Sequence, residues 1–390
     1  MTHGSLNGAA QIVGAYEHPG RHLPDRSLAQ IHAEVAAGAL ADAGLTLADV
    51  DAYFCADDAP GVGPLSMADY LGLRGAYFDT TELGGASYIA HIGHAAAAIA
   101  TGRARVALIT LAGKPRTGGV APGVSDIRAP DYNFDQRFGL TVPGGYAMVA
   151  ARRMHEYGTT SRDLAAVKAA ASYHAQFNPN ALLQGLVTIE EVLDSPMVAD
   201  PLHRLDCCVV TDGGGALVIV SPEIASDLGR RGAKLLGHAE TVRTTSNGRI
   251  DLTSTGAEIT GPRAFAEAGV RPADIDYAGI YDSFTITELA NFEDLGFAER
   301  GRGGEHFLSG NALGPNGSLP INTDGGGLSN NHPGNRGGMT KTIEAVRQLR
   351  GEANPNVQVP DCRLAVVHGT GGSLALKAGV ATVVLEAADA

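Results

Sequence analysis

The chain has 390 residues, of which 44% are hydrophobic and 18% are charged, and its formal net charge is −13. This composition is typical of one large or two fused compact α/β units, and it excludes a disordered or fibrous protein. The sequence has no run rich in Lys or Arg, so nucleic acid and anionic membranes are excluded as principal partners.

The cysteines match neither a disulfide framework nor a zinc site; they are Cys55, Cys207, Cys208 and Cys362. Because they lack C-x-x-C or Cys/His ligand spacing, we expect reduced thiols and no bound metal. The first 20 residues have neither a basic region nor a long apolar run, and no later segment reaches the roughly 18 apolar residues of a membrane span. We therefore expect a cytoplasmic protein without a membrane partner.

The first part of the chain predicts alternating strands and helices. Residues 9–16 predict a short apolar strand, and a helix is predicted from Ser27 to Gly44. A turn and a strand that ends at Cys55 follow. Residues 81–102, TELGGASYIAHIGHAAAAIATG, predict a Gly-Gly turn and a buried Ala-rich helix, and RVALITLAG predicts the next strand.

The start of the Ala-rich helix is the first candidate site. The backbone N–H groups of Gly85, Ala86 and Ser87 are predicted to face outward, because the first N–H groups of a helix have no partner within it. Such groups suit an oxyanion or another anion. A tight helix entry without any ligand has the same sequence pattern, so this alternative stays open.

Residues 113–200 do not follow the pattern around them, and we interpret them as an inserted cap. They begin with a loop rich in Gly and Pro, which is too long for a compact connection and is expected to cover a site. Two helices follow, and Ser161 is predicted to cap the second. CCVVTDGGGALVIVS then predicts two strands joined at Asp212-Gly213.

The order of elements occurs twice, which indicates an internal duplication. Residues 264–284 repeat the helix, glycine, AD(V/I)D and strand order of residues 41–51, and each copy predicts strand, helix, strand, helix, strand. Two copies predict two sheets stacked face to face, with helices between them and on the outside. We place the first half, with the cap, at residues 1–235 and the second half at residues 236–390.

Several ordered motifs resemble the thiolase superfamily over nearly the full chain. They are the helix start after GGAS, DCCVVTDGGGALVI, YDSFTITELANFEDLGF, and NTDGGGLSNNHPGNRGGMTKTIEAVRQLRGE followed by HGTGGS. The chain resembles in particular the sterol-carrier-protein-x type of thiolases and thiolase-like lipid-transfer proteins. The resemblance implies an α/β thiolase fold, five-layered αβαβα with two duplicated halves.

The chain departs from this family at the residues that carry thiolase chemistry. The family's nucleophilic Cys at the start of the buried helix corresponds here to Gly85 or Ala86, and its second Cys falls near Gly369. The family's HDCF motif is replaced by YDSF, which begins at Tyr281, and the His of its Gly-His-Pro motif remains as His332, in Asn331-His332-Pro333. A covalent acyl-enzyme on a thiol is therefore not expected.

The resemblance instead implies a non-covalent reaction. Cysteine-less, thiolase-like aldolases of steroid side-chain degradation, a part of lipid metabolism, cleave a β-hydroxyacyl-CoA and use the Tyr of a YDxF motif for proton transfer. Tyr281 matches that Tyr, whereas Asn330-Asn331-His332 stands where their second catalytic Tyr would be. We therefore predict a thiolase-like carbon–carbon lyase in which Tyr281 and His332 transfer protons during retro-aldol cleavage.

Further residues complete the predicted site. His368, near the end of an apolar strand, is either a second base or a core histidine. Asn331 is predicted to bind substrate. The backbone N–H groups predicted to stabilise an enolate are those of Gly85, Ala86, Ser87, Gly371 and Gly372.

Two alternative functions stay open. The first is a Claisen-type acyltransferase or thiolase whose nucleophile is Ser87 or a thiol supplied by a partner, although a Ser at this position is expected to cap the backbone. The second is a non-catalytic acyl-CoA-binding or lipid-binding subunit. Asp282 either orients neighbouring groups or caps the helix that follows it, and capping is favoured. We expect Cys207 and Cys208 to be packing residues.

The resemblance also implies partners. Family members of this kind form homodimers and work with a small protein that combines a zinc ribbon with an OB-fold and supplies part of the CoA site. We expect a coenzyme A thioester as substrate and no tightly bound cofactor.

Overall fold

The computed structural model describes residues 4–118, 141–245, 249–334 and 337–388. Most of the Gly/Pro-rich loop at the start of the predicted cap falls in residues 119–140, outside the described residues. Within the described ranges, no helix combines the length and the apolar character needed to span a bilayer.

The strands in the described ranges form one nine-stranded mixed sheet, in the order β3-β2-β4-β7-β1-β8-β11-β10-β9, and a small sheet of β5 and β6. Their bounds are β1 Gln11–Glu17, β2 Ala52–Cys55, β3 Tyr77–Thr80, β4 Val106–Gly113, β5 Met197–Ala199, β6 Leu202–His203, β7 Gly213–Val220, β8 Gly232–Arg243, β9 Tyr277–Ile280, β10 Leu364–Ser373 and β11 Lys377–Ala388.

The described helices cover both faces of the large sheet and the space between its two parts. Their bounds are α1 Leu28–Ala43, α2 Pro64–Leu71, α3 Ser87–Ala100, α4 Val142–Tyr157, α5 Ser161–Ala175, α6 Ile189–Leu193, α7 Pro222–Leu228, α8 Ala257–Ala268, α9 Thr285–Asp294, α10 Gly304–Leu308 and α11 Gly338–Arg350. A single π-helical turn, Gly326–Asn330, precedes α11.

The sheet contains the same strand order twice, once on each side of its middle. The first part runs β2-β4-β7-β1 and the second runs β9-β10-β11-β8. In each part the first two strands are parallel and the second and third are antiparallel. This topology matches the duplication predicted from the sequence, but the predicted boundary after residue 235 falls inside β8, the counterpart of β1.

Among the residues that the structure describes, three apolar clusters separate five layers. One cluster lies between the two parts of the sheet and contains the buried faces of α3 and α11. The other two lie on the outer faces, under α1 on one side and under α8 and α9 on the other. Successive residues of β2 alternate between layers, since Phe54 packs in the middle cluster and Tyr53 in an outer one. The five-layered α/β architecture with two duplicated halves that the sequence predicted is therefore confirmed.

The two parts of the sheet differ from the prediction in one respect. We expected two separate sheets, whereas β1 and β8 are joined by two residue pairs, Gln11 with Lys234 and Ile12 with Ala233. The two parts of the sheet are thus continuous where β1 meets β8, and they diverge on either side of α3 and α11.

Local sequence signals explain several element ends. Ser27 caps α1 in a capping box with Gln30, and Gly44 ends it in the left-handed conformation, as predicted. The predicted cap of α5 was wrong by one residue, because Thr160 rather than Ser161 accepts from the backbone of Asp163. Residues 207–212 also do not form the predicted strand, and β7 begins at Gly213.

Close packing between layers requires glycine at defined positions. A Cβ on Gly237 of β8 would overlap the backbone of α8 at Ala264 and Ala268, whereas one on exposed Gly185 would meet nothing within 4 Å. We expect Gly237→Ala to lower the free energy of unfolding by about 1–3 kcal/mol and Gly185→Ala to change it by less than about 0.5 kcal/mol. Urea unfolding of both variants measures this difference, and equal stabilities would contradict the layer packing described.

Candidate active site

A cavity of about 740 Å³ opens where the carboxyl ends of β4, β9 and β10 meet the first turn of α4. Its wall combines apolar side chains with a few polar groups. The polar or reactive residues discussed below that line it are Tyr146, Cys207, Cys208, Tyr281 and His332. In α/β folds, ligands bind at this end of parallel strands.

Tyr281 and His332 meet at the wall of this cavity. The Tyr281 hydroxyl is 2.9 Å from Nε2 of His332, and the two rings are inclined at 62°. Both side chains are buried, at 3% and 6% exposure. The two predicted proton-transfer residues, 51 positions apart in the chain, therefore form one hydrogen-bonded pair.

The Tyr281 ring occupies the space that a side chain on residue 85 would need. A Cβ on Gly85 would lie 2.5 Å from Cε2 and 2.6 Å from Cζ of Tyr281. The same ring would be 3.0 Å from a Cβ on Gly337, just before α11. Glycine at these two positions thus admits the aromatic ring between the starts of α3 and α11.

His332 is held by a network that joins the first half of the chain to the second. Its backbone N–H donates to the Thr211 hydroxyl, which in turn donates to Oδ1 of Asn331. The other end of the Asn331 amide donates to Glu17 at the end of β1. Asn331, predicted to bind substrate, is therefore fully buried and engaged in fixing the His332 loop.

Asp282 connects the two loops that carry the pair. Its Oδ1 accepts from the backbone of Gly327 at 2.9 Å and its Oδ2 accepts from that of Leu328 at 3.2 Å. Lys341 of α11 forms an ion pair with Oδ1 at 2.6 Å. The prediction that Asp282 caps α9 was wrong, because the carboxylate is used by the π-helical turn before His332.

Burial keeps both members of the pair uncharged. It raises the pKa of Tyr281 well above its ordinary value, and nearby Tyr146, Cys208 and Asp282 act in the same direction. Burial also lowers the pKa of His332 to about 4, although Asp282 opposes this shift. In the tautomer protonated at Nδ1, neutral His332 accepts the Tyr281 proton at Nε2.

The predicted oxyanion donors at the start of α3 are only partly available. The N–H groups of Ala86 and Ser87 donate to the carbonyls of Leu83 and Gly84 in a short 3₁₀ turn, which differs from the outward orientation expected. Of the described residues that line the cavity, none comes from Gly85, Ala86 or Ser87, whereas Gly371 and Gly372 do line it. The Ser87 hydroxyl accepts from Leu83, as expected for a backbone cap.

His368 lies in the sheet and not at the described cavity wall. Its Nδ1 is 2.8 Å from the hydroxyl of Thr382 on the neighbouring strand β11. Burial lowers the pKa of His368 to about 3, so the imidazole is neutral. Its predicted role as a second base would require a route from this position to the substrate.

Sequence reasoning missed several cavity residues. Tyr146 of α4 stacks on Phe284 with ring centroids 4.2 Å apart, and its hydroxyl is 3.3 Å from the carbonyl of Gly372. Cys207 and Cys208, expected only to pack, also line the cavity, because the Cys208 N–H binds the carbonyl of Ser283. In the sequence, Tyr146 is distinguished only as an aromatic residue near the start of α4.

The cysteines are nevertheless poor nucleophiles in this environment. Burial raises the pKa of Cys207 to about 11 and that of Cys208 above its usual range, so both stay as thiols at neutral pH. A thiolate is the reactive form of cysteine.

Known proteins are similar in sequence to almost the whole chain. It is 35% identical to the 17-hydroxy-3-oxo-4-pregnene-20-carboxyl-CoA lyase of Mycobacterium tuberculosis, over 94% of this chain and 97% of that protein. It is 35% identical to the steroid side-chain-cleaving aldolase of Thermomonospora curvata, over 94% and 96%. It is 33% identical to an acetyl-CoA acetyltransferase of Methanothermobacter thermautotrophicus, over 94% and 97%.

The chain belongs to the thiolase family. Its residues 238–386 match the family model described as thiolase C-terminal domain-like. A solved structure of the Ltp2-ChsH2(DUF35) aldolase superposes with a TM-score of 0.89 and 33% identity, covering 98% of this chain and 99% of that one.

The uncharged state of His332 can be observed directly. In an NMR titration of ¹³C-labelled histidines, with the His332→Gln variant used for assignment, we expect the His332 resonance to stay that of neutral imidazole from pH 8 to about pH 5. A free imidazole titrates near pH 6.5, whereas the pKa of His332 is lowered to about 4 by burial. A midpoint at or above 6.5 would contradict the buried pair described above.

Proposed function

We propose that the chain cleaves a β-hydroxyacyl-CoA thioester by a retro-aldol reaction without a covalent intermediate. The observation that carries this proposal is the Tyr281–His332 pair, whose 2.9 Å hydrogen bond lies at the wall of the cavity. The Tyr281 ring fills the space beside Gly85, where the family resemblance places a nucleophile. Two relatives named as a CoA lyase and an aldolase support the same chemistry.

The uncharged pair suits proton transfer in two steps. The β-hydroxyl of the substrate gives its proton to the Tyr281 oxygen as Tyr281 passes its own proton to Nε2 of His332. The Cα–Cβ bond then breaks, the β-carbon becomes a carbonyl, and the electron pair remains on the thioester as an enolate. Return of the proton through the same pair to Cα gives the shorter acyl-CoA and restores the enzyme.

The enolate requires hydrogen-bond donors at its oxygen. Gly371 and Gly372 are our candidates because they line the cavity. We keep Gly85, whose backbone lies against the Tyr281 ring, as a third candidate.

Acyl transfer is the second candidate function, because one relative is named an acetyl-CoA acetyltransferase. It has less support in the geometry. The Ser87 hydroxyl is fully buried and already accepts from the backbone of Leu83, and the thiols of Cys207 and Cys208 stay protonated. A serine without a neighbouring base is a weak nucleophile.

For the substrate we propose a CoA ester of a steroid side chain. Two relatives carry steroid-related names, and the cavity of about 740 Å³ includes the apolar side chains of Leu28, Val142, Val210 and Phe284. A cavity of this size accommodates a bulky apolar ligand. The proposed reaction needs no tightly bound cofactor.

The pair predicts a specific pattern of variant activity. We expect Tyr281→Phe and His332→Gln to lower kcat/KM for retro-aldol cleavage by about 10²- to 10⁴-fold, while binding of the acyl-CoA is kept. The control variants Tyr173→Phe and His155→Gln remove the same chemical groups at positions that do not line the described cavity. They should leave kcat/KM unchanged. Chromatography of the CoA esters measures turnover, and calorimetry measures binding.

Intact-protein mass spectrometry of the same reactions separates the two candidate functions. Cleavage without a mass increase supports the non-covalent route. A covalent acyl adduct that is lost in Ser87→Ala or Cys208→Ala would contradict the non-covalent route and support acyl transfer. Full turnover by Tyr281→Phe would exclude the proposed proton relay.

We also propose a homodimer formed through the free edge of the sheet. The strand β3 is the terminal strand of the described sheet, and an exposed apolar surface lies on it and on α2 with its preceding loop, at Val62, Leu65, Tyr70 and Phe78. An edge strand pairs readily with its own copy around a twofold axis.

Charge placed on this surface tests the dimer. We expect Phe78→Asp to shift the chain from dimer to monomer in light scattering coupled to size exclusion, because Phe78 is 41% exposed on β3. Leu308→Asp, at a side chain of similar exposure, 43% on α10, is the control and should stay dimeric. A wild-type chain that is monomeric at all concentrations contradicts the proposal.

A second protein as partner is proposed from the solved structure of the Ltp2-ChsH2(DUF35) aldolase. We propose that a DUF35-type protein, with the zinc ribbon and OB-fold that the family resemblance implies, supplies part of the CoA site here too. Turnover is therefore to be measured with and without such a partner.

A further inference from the structure

A buried ion pair stands directly behind the proposed proton relay. Lys341 and Asp282 are 2.6 Å apart, and the side chain of each is 1% exposed. Asp282 follows Tyr281 in the chain, and Lys341 lies in α11. A buried charge pair of this kind brings a large desolvation penalty and little net stability, so its position calls for a reason other than stability.

The ion pair is in contact with the backbone that carries His332. A Cβ on Gly327 would lie 2.8 Å from Oδ1 of Asp282 and 3.1 Å from Cδ2 of His332, so the carboxylate and the imidazole flank the same peptide unit. On the other side of Asp282, a Cβ on Gly326 would be 3.1 Å from Nζ of Lys341. In space, Asp282 therefore lies between Lys341 and His332, and all three side chains pack around Gly326 and Gly327 of the π-helical turn.

A carboxylate so close to an imidazole has two opposite effects. It fixes the loop through the N–H groups of Gly327 and Leu328, and it attracts a proton to His332. A base that is already protonated cannot accept the substrate proton. The negative charge of Asp282 therefore needs a counter-charge if it is to hold the loop and leave His332 free.

We propose that Lys341 is a positioning residue that neutralises Asp282, so that the carboxylate can hold the His332 loop without keeping His332 protonated. This inference rests on the proposed function, since it assigns His332 the role of base. Lys341 is not among the described residues that line the cavity. It forms its ion pair with Asp282, and its charge also lowers the pKa of His332 directly.

The other titratable groups near the pair do not replace Lys341. Tyr281 and Cys208 are neutral at the pH of the assay, because burial raises the pKa of each. Burial, with Asp282 acting in the same direction, also raises the pKa of Glu288 on α9 well above its ordinary value. Asp324 adds a negative charge, which favours the charged form of Lys341.

A second buried lysine lies on the far side of the π-helical turn. Lys168 of α5 donates to the carbonyl of Leu328 at 2.7 Å and to the hydroxyl of Ser329 at 2.9 Å. Its hydrogen bonds are to neutral groups, whereas Lys341 binds the carboxylate itself. Burial lowers the pKa of Lys168 to about 8. Burial also acts to lower the pKa of Lys341, but the neighbouring carboxylates, with Asp282 first among them, raise that pKa above its ordinary value.

The experiment is the pH profile of kcat/KM for retro-aldol cleavage in Lys341→Met. With Asp282 left unneutralised, we expect the acidic limb, which reports protonation of His332, to move upward by about one pH unit or more. The same shift is expected in the NMR titration of His332. Lys341→Arg keeps the charge and should keep the wild-type midpoint, as should Lys234→Met, at a partly buried site on β8 that is not among the described residues lining the cavity.

A double variant, Asp282→Asn with Lys341→Met, removes both charges and should return the midpoint toward its wild-type value. If Lys341→Met fails to fold, Lys341→Gln and the double variant are used instead, with circular dichroism as the check. An unchanged midpoint in a folded, neutral Lys341 variant overturns the proposal. If His332→Gln keeps full turnover, the proposed function fails first, and the two failures are thereby distinguished.

Discussion

The hydrogen bonds of the Asp282 carboxylate are the interaction on which the candidate site depends. One carboxyl group joins the end of β9, which carries Tyr281, to the π-helical turn that precedes His332. Without this connection the two rings would belong to two independent loops. The 2.9 Å contact between them is therefore set by backbone groups and not by the flexibility of long side chains, which favours a catalytic geometry that is in place before substrate binds.

Small residues make room for this arrangement. The Tyr281 ring fits between α3 and α11 because Gly85 and Gly337 carry no side chain there. The fold that the relatives share can thus present different chemistry at one place, since a residue from the second half occupies the volume left open by the first. In this chain the space beside the start of α3 holds an aromatic hydroxyl group paired with an imidazole. The five layers supply the rigid support, and the loops at the strand ends supply the reactive groups.

Sequence reasoning recovered what is encoded locally or in repeated patterns. Ser27 and Gly44 mark the ends of α1 because capping depends on neighbours within a few residues, and the duplication is visible as a repeated order of elements. Tyr281 and His332 were found through motifs. The contacts of Asp282 with Gly327 and Lys341 were not found in this way, because these two residues are 45 and 59 positions away from Asp282 in the chain. For the same reason the positions of Tyr146 and Cys208 at the cavity could not be predicted. The N–H groups of Ala86 and Ser87 were misjudged because a 3₁₀ turn, which no residue pattern announced, uses them.

The meeting of the two central helices has an electrostatic consequence. Both α3 and α11 begin beside Tyr281, and Gly338, the first residue of α11, packs against the backbone of Gly85. The positive ends of two helix macrodipoles therefore converge on one small region of a chain whose formal net charge is −13. Each dipole favours negative charge by about 0.3–1 kcal/mol at an exposed site, and by up to about 2 kcal/mol in a partly buried one. The duplicated architecture thereby creates a local positive potential without an added cation, and an anion formed there is stabilised by the peptide backbone of both halves at once.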